Sequence, residues 1–530
     1  MKAQGFSCIS SHAQPYAASV NVLRVAPNVP LSSPRRHAQQ SFREPALRSP
    51  GAVSRPNSIS VAAYGPQLAG APNRRLRAAA VCAASPSANA STEHYDFVIV
   101  GGGPAGLLAA KALLTVSLTA SVKVLEGVPG FPPQGAGVLV EINGWRALHA
   151  VDDALADRLR ARGYLFDATR LFNEQGEPMG AGPLTGGGWK HEESIKAHGH
   201  TSVMVQWGDI RSTLFESLPQ GVVSFNSRVK NVTPGEPGKQ PALLEVTQAD
   251  VPDGPVRTVS AGMVVAADGY FSRTKRQVWG GAGLPESQEK RIWRAVVTMR
   301  DPAEAPELLR QADSGPCLWL GPGMPPVRSA TVYPLGHNRF VWTCIAANSY
   351  LEKAGEPTTL KLGEDQGIHQ ASGATGAKAK SRCLAVFGDY PPALVELLRR
   401  TDPDTVTEHG YFASDVAALT GAPDWVRGNV VLVGDAAHTA PPDGQGLNMA
   451  LEDVAVLGDC VRRFGATSQA LEAYAAERLP RVRDVWLRPG GAPLPPNRVA
   501  AIRAASFTPL GAAPHSGKSR PPLQQQAAAA

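Results

Sequence analysis

Three glycines near residue 100 are spaced for the binding of a dinucleotide phosphate. Gly101, Gly103 and Gly106 form the pattern G-x-G-x-x-G directly after a short apolar run. The first glycine permits a tight turn, the second lets the backbone approach a pyrophosphate, and the third lets a helix pack closely on a sheet. The first turn of that helix, which contains Pro104 and Ala105, would bring unpaired amide groups and a positive dipole end to the phosphate.

A carboxylate lies at the end of the next apolar run, where it suits a ribose. Glu126 comes twenty residues after Gly106, a spacing at which an acidic side chain accepts hydrogen bonds from ribose hydroxyl groups. A carboxylate at this position disfavours a 2′-phosphate. The pattern therefore predicts that the site holds FAD or NAD and not NADP.

A second motif, Ala267-Asp268-Gly269-Tyr270-Phe271-Ser272, follows another apolar run. A carboxylate buried at this position needs hydrogen-bonding partners. An ordinary Asp-Gly turn is the alternative interpretation of the same residues.

The third motif is the most specific of the three. It consists of Gly434-Asp435-Ala436-Ala437-His438, then Pro441, then Gly444-Gln445-Gly446-Leu447-Asn448, and it leads into a predicted helix. Glycines let the backbone approach a flat ring closely, and a helix N-terminus stabilises an anion without adding a titrating group. We expect His438 to brace the turn and not to act as a general base. The cofactor-binding candidates from the second and third motifs are Asp268, Asp435, Pro441, Gly444, Gly446, Leu447 and Asn448.

Together the three motifs resemble the flavoprotein aromatic hydroxylases, the single-component FAD-dependent monooxygenases of the para-hydroxybenzoate hydroxylase type. The resemblance spans roughly Tyr95 to Trp486. It implies that Asp435 binds the ribityl chain of FAD, that the amides of residues 446–448 face the pyrimidine edge of the flavin, and that Asp268 supports the region near FAD and the nicotinamide path.

The resemblance also implies the reaction. NAD(P)H would act as a transient co-substrate that reduces FAD, and O2 would form a flavin C4a-hydroperoxide that delivers one oxygen atom to an aromatic or other electron-rich small molecule, by hydroxylation or epoxidation. Spacing alone identifies no catalytic acid or base. Candidate walls of a substrate cavity are Trp319, Tyr333, Phe340 and Trp342, for which plain core is the alternative.

Two departures from the family pattern leave other functions open. Trp207 stands where many relatives carry an arginine near the pyrophosphate, and Lys275 with Arg276 matches only loosely the position of another arginine. These departures keep open a non-catalytic FAD-binding factor. A plastid isoprenoid flavin reductase or cyclase of the same fold is the other alternative, although the third motif argues against it.

The order of apolar segments predicts an α/β fold. Phe97–Val100, a helix over Ala105–Leu114, and Val122–Leu125 form a βαβ unit, and Met263–Ala266 and Val430–Val433 have the continuous apolar character of a parallel sheet covered on both faces. We predict an FAD-binding Rossmann-like (GR2-type) domain interwoven with a mainly antiparallel β-sheet substrate domain. The predicted FAD-binding segments are 93–165, 201–280 and 416–487, the substrate segments are 166–200 and 281–415, and surface loops cover Gly176–Lys190 and Gly355–Lys380.

The two ends of the chain differ from the rest in composition. Residues 1–92 contain ten Lys or Arg and one acidic residue, Glu44, which is typical of an organelle transit peptide. We expect import into the chloroplast, with the mitochondrion as the alternative. Removal of this segment changes the net charge from +7 to −2, because 42 basic and 44 acidic residues remain, so nucleic-acid binding is not indicated. The tail 488–530, rich in Pro, Ala and Gln, is predicted to be disordered.

The cysteines and the hydropathy pattern exclude three further classes. The six cysteines form no C-x-x-C pair, which argues against a disulfide scaffold and a zinc site. The sequence also lacks an apolar run of about 18 residues, the length that a membrane-spanning helix requires.

Overall fold

The computed structural model describes residues 92–131, 136–165, 169–181, 191–251, 254–299, 308, 312, 315–323, 326–358, 374–414, 424–440, 444–486 and 497–511. The predicted transit peptide, apart from Thr92, lies outside the described residues. Pro441 and residues 512–530 of the predicted tail lie outside them as well.

The strands are β1 (Glu93–Val100), β2 (Val122–Leu125), β3 (Gly137–Val140), β4 (Arg170–Asn173), β5 (Pro178–Ala181), β6 (Val203–Gln206), β7 (Val223–Ser224), β8 (Ser227–Thr233), β9 (Ala242–Gln248), β10 (Arg257–Ala266), β11 (Glu286–Thr298), β12 (Cys317–Leu320), β13 (Arg328–Gly336), β14 (Arg339–Ala347), β15 (Thr407–Ala413), β16 (Val426–Arg427) and β17 (Val430–Leu432). The α-helices are α1 (Pro104–Val116), α2 (Ile142–Val151), α3 (Asp153–Arg160), α4 (His191–His198), α5 (Trp207–Glu216), α6 (Arg273–Trp279), α7 (Asn348–Lys353), α8 (Gly376–Phe387), α9 (Pro392–Arg400), α10 (Asp435–His438), α11 (Gly446–Phe464), α12 (Ser468–Trp486) and α13 (Asn497–Ala504). A 3₁₀ turn covers Pro403–Thr405.

The first sheet has the order β16-β17-β10-β1-β2-β7, and β8 and β9 extend it beside β10. β1 runs parallel to both β10 and β2, and β10 runs parallel to β17. The central strands are apolar along their length because both faces are covered, so Val98, Ile99 and Val264 are fully buried. The predicted βαβ unit and the parallel pairing of the two later apolar strands are confirmed.

The second sheet has the order β15-β11-β14-β13-β12-β4-β5 and is antiparallel except for the pair β12 and β4. One face packs against helices α8 and α9 in a single apolar cluster. Trp319, Phe340 and Trp342 belong to this cluster and are therefore core residues, not cavity walls. Tyr333 is directed to the opposite face of the same sheet, where it packs with Leu139 of β3 and its neighbours.

β3 and β6 form a small antiparallel sheet that contacts this opposite face. The contact is close at Gly137, where a Cβ atom would lie 2.6 Å from side-chain atoms of both Leu335 and Tyr333. Only glycine fits between the two layers here. The hydroxyl group of Tyr333 also donates a hydrogen bond to the Gly137 carbonyl oxygen at 3.3 Å.

Three predicted irregular segments contain regular structure. β5 lies within the predicted loop Gly176–Lys190, and α8 begins within the predicted loop Gly355–Lys380. α13 lies within the predicted disordered tail, and Ile502, Ala505 and Leu510 are buried. The tail prediction is wrong for residues 497–511, because these few apolar side chains dock on existing helices and need no core of their own. In the described residues, no helix has the length and apolar character needed to cross a membrane.

Candidate functional site

The glycine loop between β1 and α1 leaves an open space beside its backbone. Gly101 has φ +104, and a Cβ atom there would lie 2.5 Å from the Ala267 carbonyl oxygen. A Cβ atom at Gly106 would collide with the Gly101 carbonyl oxygen. No described atom lies within 4 Å of the Cβ position at Gly103. Packing thus requires glycine at positions 101 and 106. Gly103 leaves room for a ligand phosphate at the start of α1, whose first residue is Pro104.

Glu126 lies against this loop at the end of β2. Its Oε2 accepts a hydrogen bond from the Gly102 amide at 2.6 Å, and its Oε1 accepts one from the Val128 amide at 3.0 Å. The carboxylate remains partly accessible. This arrangement holds Glu126 at the place where a ribose attached to the phosphate would lie.

Arg211 was missed by the sequence interpretation. It lies on α5 one turn after Trp207, is buried, and stacks on the ring of Phe131 with 4.4 Å between the guanidinium carbon and the ring centroid. Burial lowers the pKa of Arg211, and the nearby charge of Glu126 acts in the opposite direction. The sequence could have indicated Arg211 through its spacing of four residues from Trp207, because residues four apart lie on one face of a helix.

Asp268 is held by the residues that follow it. Its carboxylate accepts hydrogen bonds from the Ser272 hydroxyl group at 2.5 Å and from the Thr274 amide at 2.9 Å. Burial raises the pKa of Asp268, and these hydrogen bonds act in the opposite direction. The residue therefore shapes the start of α6 beside the glycine loop, to which it is joined by the contact of Gly101 with Ala267.

Lys275 connects the second motif to the third. Its Nζ donates to the Gly283 carbonyl oxygen at 2.9 Å and to the Ala437 carbonyl oxygen at 3.3 Å. The side chain is buried, and burial lowers the pKa of Lys275 to about 8. The lysine thus occupies the loosely matched position and acts as a link between two chain segments.

Asp435 carries the half-buried carboxylate of the third motif. Among the described residues, none donates a hydrogen bond to its carboxylate, and part of its surface is accessible. Burial raises the pKa of Asp435, with a further contribution from Asp453, whereas His438 lowers it. A carboxylate in such a position is stabilised by hydroxyl donors from a ligand. This is the donor set that the polyhydroxyl chain of a flavin nucleotide offers.

The start of α11 lies next to Asp435. A Cβ atom at Gly446 would meet only the Asp435 Oδ1 among described atoms, at 3.9 Å. The Gln445 side chain does not cap the helix, and the amides of Gly446 and Leu447 belong to the first turn of α11, where backbone N–H groups have no partner within the helix itself. Gly444 has φ +88, a backbone conformation that favours glycine.

Asn448 is engaged within the protein. Its Oδ1 accepts a hydrogen bond from the Glu141 amide at 2.9 Å, and its Nδ2 donates to the carbonyl oxygens of Leu139 and Gly444. The side chain thus ties α11 to β3 and α2, and only the backbone of Asn448 is left for a ligand.

The three motifs converge although they are far apart in the chain. Gly101 contacts Ala267 as described, and a Cβ atom at Gly434 would lie 3.3 Å from the Ala105 Cβ. The glycine loop, the Asp268 turn and the Asp435 turn therefore surround one region at the carboxyl end of the parallel strands, which is where open α/β sheets bind nucleotides. Pro441 cannot be placed in this region because it lies outside the described residues.

The FAD-binding domain family matches residues 94–389 and 411–488. The chain belongs to this family. Its curated relatives include 3-amino-4-hydroxybenzoate 2-monooxygenase of Streptomyces cremeus, which is 30% identical over 396 residues covering 74% of this chain and 84% of that protein. Another is 6-hydroxynicotinate 3-monooxygenase of Pseudomonas fluorescens, which is 27% identical with coverage of 74% and 91%.

Solved structures of flavoproteins share the fold of this flavin monooxygenase. HpxO of Klebsiella pneumoniae in complex with FAD and uric acid is 21% identical, with a TM-score of 0.58 and coverage of 78% of this chain and 88% of that chain. CtdE in complex with FAD and a substrate is 19% identical, with a TM-score of 0.54 and coverage of 82% of this chain and 97% of that chain. The predicted α/β fold is confirmed, and the protein is an FAD-dependent oxidoreductase of the monooxygenase type.

The flavin monooxygenase also contains a half-buried cation, Arg294, on the second sheet. Trp293 and Ala295 belong to the helix-covered core, so Arg294 between them is directed to the opposite face of β11, the face that carries Tyr333. Burial lowers the pKa of Arg294, and Tyr333 and Tyr270 act in the opposite direction. Because Tyr270 belongs to the second motif, Arg294 is close to that motif as well as to Tyr333.

Proposed function

We propose that this monooxygenase hydroxylates a small aromatic acid, with NAD(P)H as the hydride donor and O2 as the source of the inserted oxygen atom. The observation that carries the substrate class is the position of Arg294, a half-buried cation on the sheet face that carries Tyr333 and lies close to the second motif. An anionic group beside a guanidinium gains a charge-assisted hydrogen bond. Relatives named for 3-amino-4-hydroxybenzoate, 6-methylsalicylate and 6-hydroxynicotinate support the same class.

Residues of the three motifs would each bind a different part of FAD. The open backbone at Gly103 and the start of α1 would hold the pyrophosphate, Glu126 the ribose, and Asp435 the hydroxyl groups of the ribityl chain. The first-turn amides of α11 would stabilise negative charge on the reduced ring. When bound, FAD supplies the transfer of electrons from NAD(P)H to O2 that the protein itself cannot perform.

The second sheet would position the substrate and exclude water. Val296, Val341 and Tyr333 lie in one row across β11, β14 and β13, on the face that Arg294 shares. Apolar walls shield a reactive oxygen species from hydrolysis, and Arg294 would orient the ring by its acidic substituent. The chain would thus control which carbon atom of the ring is oxidised through the distance between Arg294 and the flavin-facing turns.

The test uses the chain without residues 1–91, purified and loaded with FAD. We expect it to be yellow and to oxidise NADH or NADPH faster when benzoates, salicylates or hydroxynicotinates are added, with one atom of ¹⁸O2 recovered in the product. Phenols that lack the carboxylate form the matched control. Equal stimulation by acids and neutral phenols would contradict the substrate class, and NAD(P)H oxidation that yields no labelled product with any ligand would contradict the monooxygenase reaction.

We propose further that residues 1–92 direct the protein to the chloroplast. The excess of ten basic residues over one acidic residue supports this location. A fusion of these residues to a fluorescent protein is expected to accumulate in plastids of plant or algal cells. Accumulation in mitochondria would replace the proposal by the alternative.

A further inference from the structure

A fully buried glutamate on α11 is the centre of a cluster of charged groups behind the candidate FAD site. Glu452 accepts hydrogen bonds from Arg478 at 2.6 Å, from Arg481 at 2.7 and 2.9 Å, and from the Asn143 amide group at 2.7 Å. Burial alone would raise its pKa, but Arg481 and Arg478 lower the pKa of Glu452 to about 2. The Glu452 carboxylate thus holds side chains from two other helices, α2 and α12.

One arm of the cluster leads to the Asp435 turn. Arg478 donates from Nε to the Asp453 Oδ1 at 2.7 Å. The other oxygen of Asp453 accepts hydrogen bonds from the Gly434 amide at 2.8 Å and from the His438 Nε2 at 2.6 Å. Since Gly434 and His438 lie on either side of Asp435, this arm sets the backbone from which the Asp435 carboxylate projects.

A second arm leads to the start of α11. The Asn143 Nδ2 that donates to Glu452 also donates to the Gln445 Oε1 at 3.0 Å. Gln445 directly precedes Gly446, which begins α11 and lies beside Asp435, with 3.9 Å between the Gly446 Cβ position and the Asp435 Oδ1. Glu452 is thus connected to both segments that face the flavin.

A third connection leads away from the site to the end of the chain. Arg481, which contacts Glu452, also donates from its NH1 to the Ala501 carbonyl oxygen of α13 at 2.8 Å. We call residues 497–511 the C-terminal clasp. Two further contacts anchor it to α2, from Arg146 to the Ala505 carbonyl oxygen at 2.7 Å and from the Leu510 amide to the Ala150 carbonyl oxygen at 2.7 Å.

The clasp packs closely against α11 through Leu510. Leu510 is 2% exposed and lies against Gly458 of α11, where a Cβ atom would be 2.6 Å from the Leu510 Cδ1. The clasp lies after residue 488, the last residue that the FAD-binding domain family matches. It therefore lies outside the part of this chain that the family matches, packed on the same helix that carries Glu452.

Stability alone is a weak reason to bury two acids and an arginine with a second arginine at their edge. Desolvation offsets most of the attraction within a buried ion pair, and apolar residues of similar volume often give equal or greater stability. What such a cluster provides is a defined geometry, because each carboxylate has its oxygens occupied by donors with fixed directions. The geometry in this case is that of the two flavin-facing segments.

We propose that the C-terminal clasp, acting through Arg481 and Glu452, positions Asp435 and the first turn of α11 for the binding of FAD. This inference rests on the FAD-dependent function proposed above. Arg481 and Leu510 are positioning residues in this scheme, since neither has to touch the cofactor.

The test compares point variants of the otherwise complete FAD-binding protein. R481K keeps a positive charge on Glu452 but loses the planar fork that also reaches Ala501, and L510A undocks the clasp without changing a charge. We expect each variant to weaken the Kd for FAD, measured by quenching of flavin fluorescence, about tenfold, the effect of losing about 1.4 kcal/mol of positioning. The reduction potential of bound FAD is expected to change in both variants.

The matched controls are R483K, an exposed arginine on the same helix, and L118A, a leucine that is 88% exposed. We expect both to stay within about twofold of the wild type. Because R481K and L510A act through one path, the double variant should bind FAD about as weakly as either alone.

Three results would overturn the inference. They are an unchanged Kd and potential in R481K and L510A, effects in the double variant that multiply, and equal effects in the two controls. Should R481K fail to fold, an unchanged Kd and potential in L510A, or an equal effect in L118A, would overturn the inference. Wild-type protein that does not bind FAD would overturn this inference and the proposed function together, whereas FAD binding without oxygenation of any aromatic acid would contradict only the proposed function.

Discussion

His438 donates from its Nε2 to the Asp453 carboxylate at 2.6 Å, with both side chains fully buried. The same carboxylate oxygen accepts the Gly434 amide. His438 therefore closes the turn around Asp435 and lies between the rings of Trp425 and Trp486, at 5.5 and 5.3 Å. This supports the expectation that the histidine braces the turn.

Replacement of Asp453 by asparagine is expected to destabilise the protein strongly. The variant leaves Arg478 with one buried carboxylate fewer and turns an amide group toward a donor, and loss of one partner of a buried pair costs about 3 to 5 kcal/mol. Urea unfolding of D453N should therefore show a correspondingly lower free energy of unfolding. D484N, which changes an exposed aspartate on α12, is the control, and equal stability of D453N and D484N would refute the bracing role of Asp453.

Substitutions at two glycines of the first motif are expected to differ in their effects: G106A should affect both folding and FAD binding, whereas G103A should affect FAD binding alone. G106A places a Cβ atom against the Gly101 carbonyl oxygen, so we expect a lower melting temperature and loss of FAD. G103A meets no described atom within 4 Å, so it should keep the wild-type melting temperature of the apoprotein while weakening FAD binding by obstructing the phosphate. Thermal unfolding and FAD titration of both variants check this, and tight FAD binding by G103A would count against the assigned phosphate position.

Lys275 is expected to make stability depend on pH in alkaline solution. Burial lowers its pKa in the folded protein from 10.5 to about 8, so between those two values the unfolded chain binds more protons than the folded one. The contribution of Lys275 to the free energy of unfolding therefore rises with pH across this window, by at most about 1.4 kcal/mol per pH unit.

K275M removes this contribution, and the measurement is the difference in unfolding free energy between wild type and K275M. We expect the unfolding free energy of the wild type, relative to that of K275M, to increase as the pH rises from 8 to 10.5, and to be constant below pH 8. K378M, at an exposed lysine, should show no such trend. A flat difference for K275M would mean that Lys275 is not buried as a cation.

Removal of the Arg294 charge is expected to affect acidic substrates selectively. R294M should raise KM for an aromatic acid about 10- to 100-fold, the effect of losing a charge-assisted hydrogen bond worth about 1.5 to 3 kcal/mol. FAD binding should not change, because Arg294 belongs to the sheet and not to the motifs. Steady-state kinetics with an acid and with its neutral amide provide the check, and an equal loss for both ligands would exclude a direct contact with the acidic group.

The sequence by itself determined the cofactor class and the local structures that face it. Gly101, Gly106 and Glu126 follow from short-range requirements, namely a positive φ, a close helix approach and a carboxylate at a strand end, which leave a pattern within about 30 residues. The strands β1, β2, β10 and β17 were recognisable because burial on both faces demands continuous apolar runs. These features depend on neighbours in the chain and therefore appear in the sequence.

Only the tertiary structure decided which side chains meet across long separations. Asn143 and Glu452 are 309 residues apart, and no local pattern marks them as partners. Alternation along the strands of the second sheet predicts that the sheet has two faces, but it does not reveal which face the helices cover. In the structure α8 and α9 cover the face with Trp319 and Trp342, and Tyr333 and Arg294 lie on the other face. The clasp was missed for the same reason, since Leu510 is buried by Gly458 of a helix that begins about 60 residues earlier. Burial is a property of the assembled surfaces, and composition alone does not contain it.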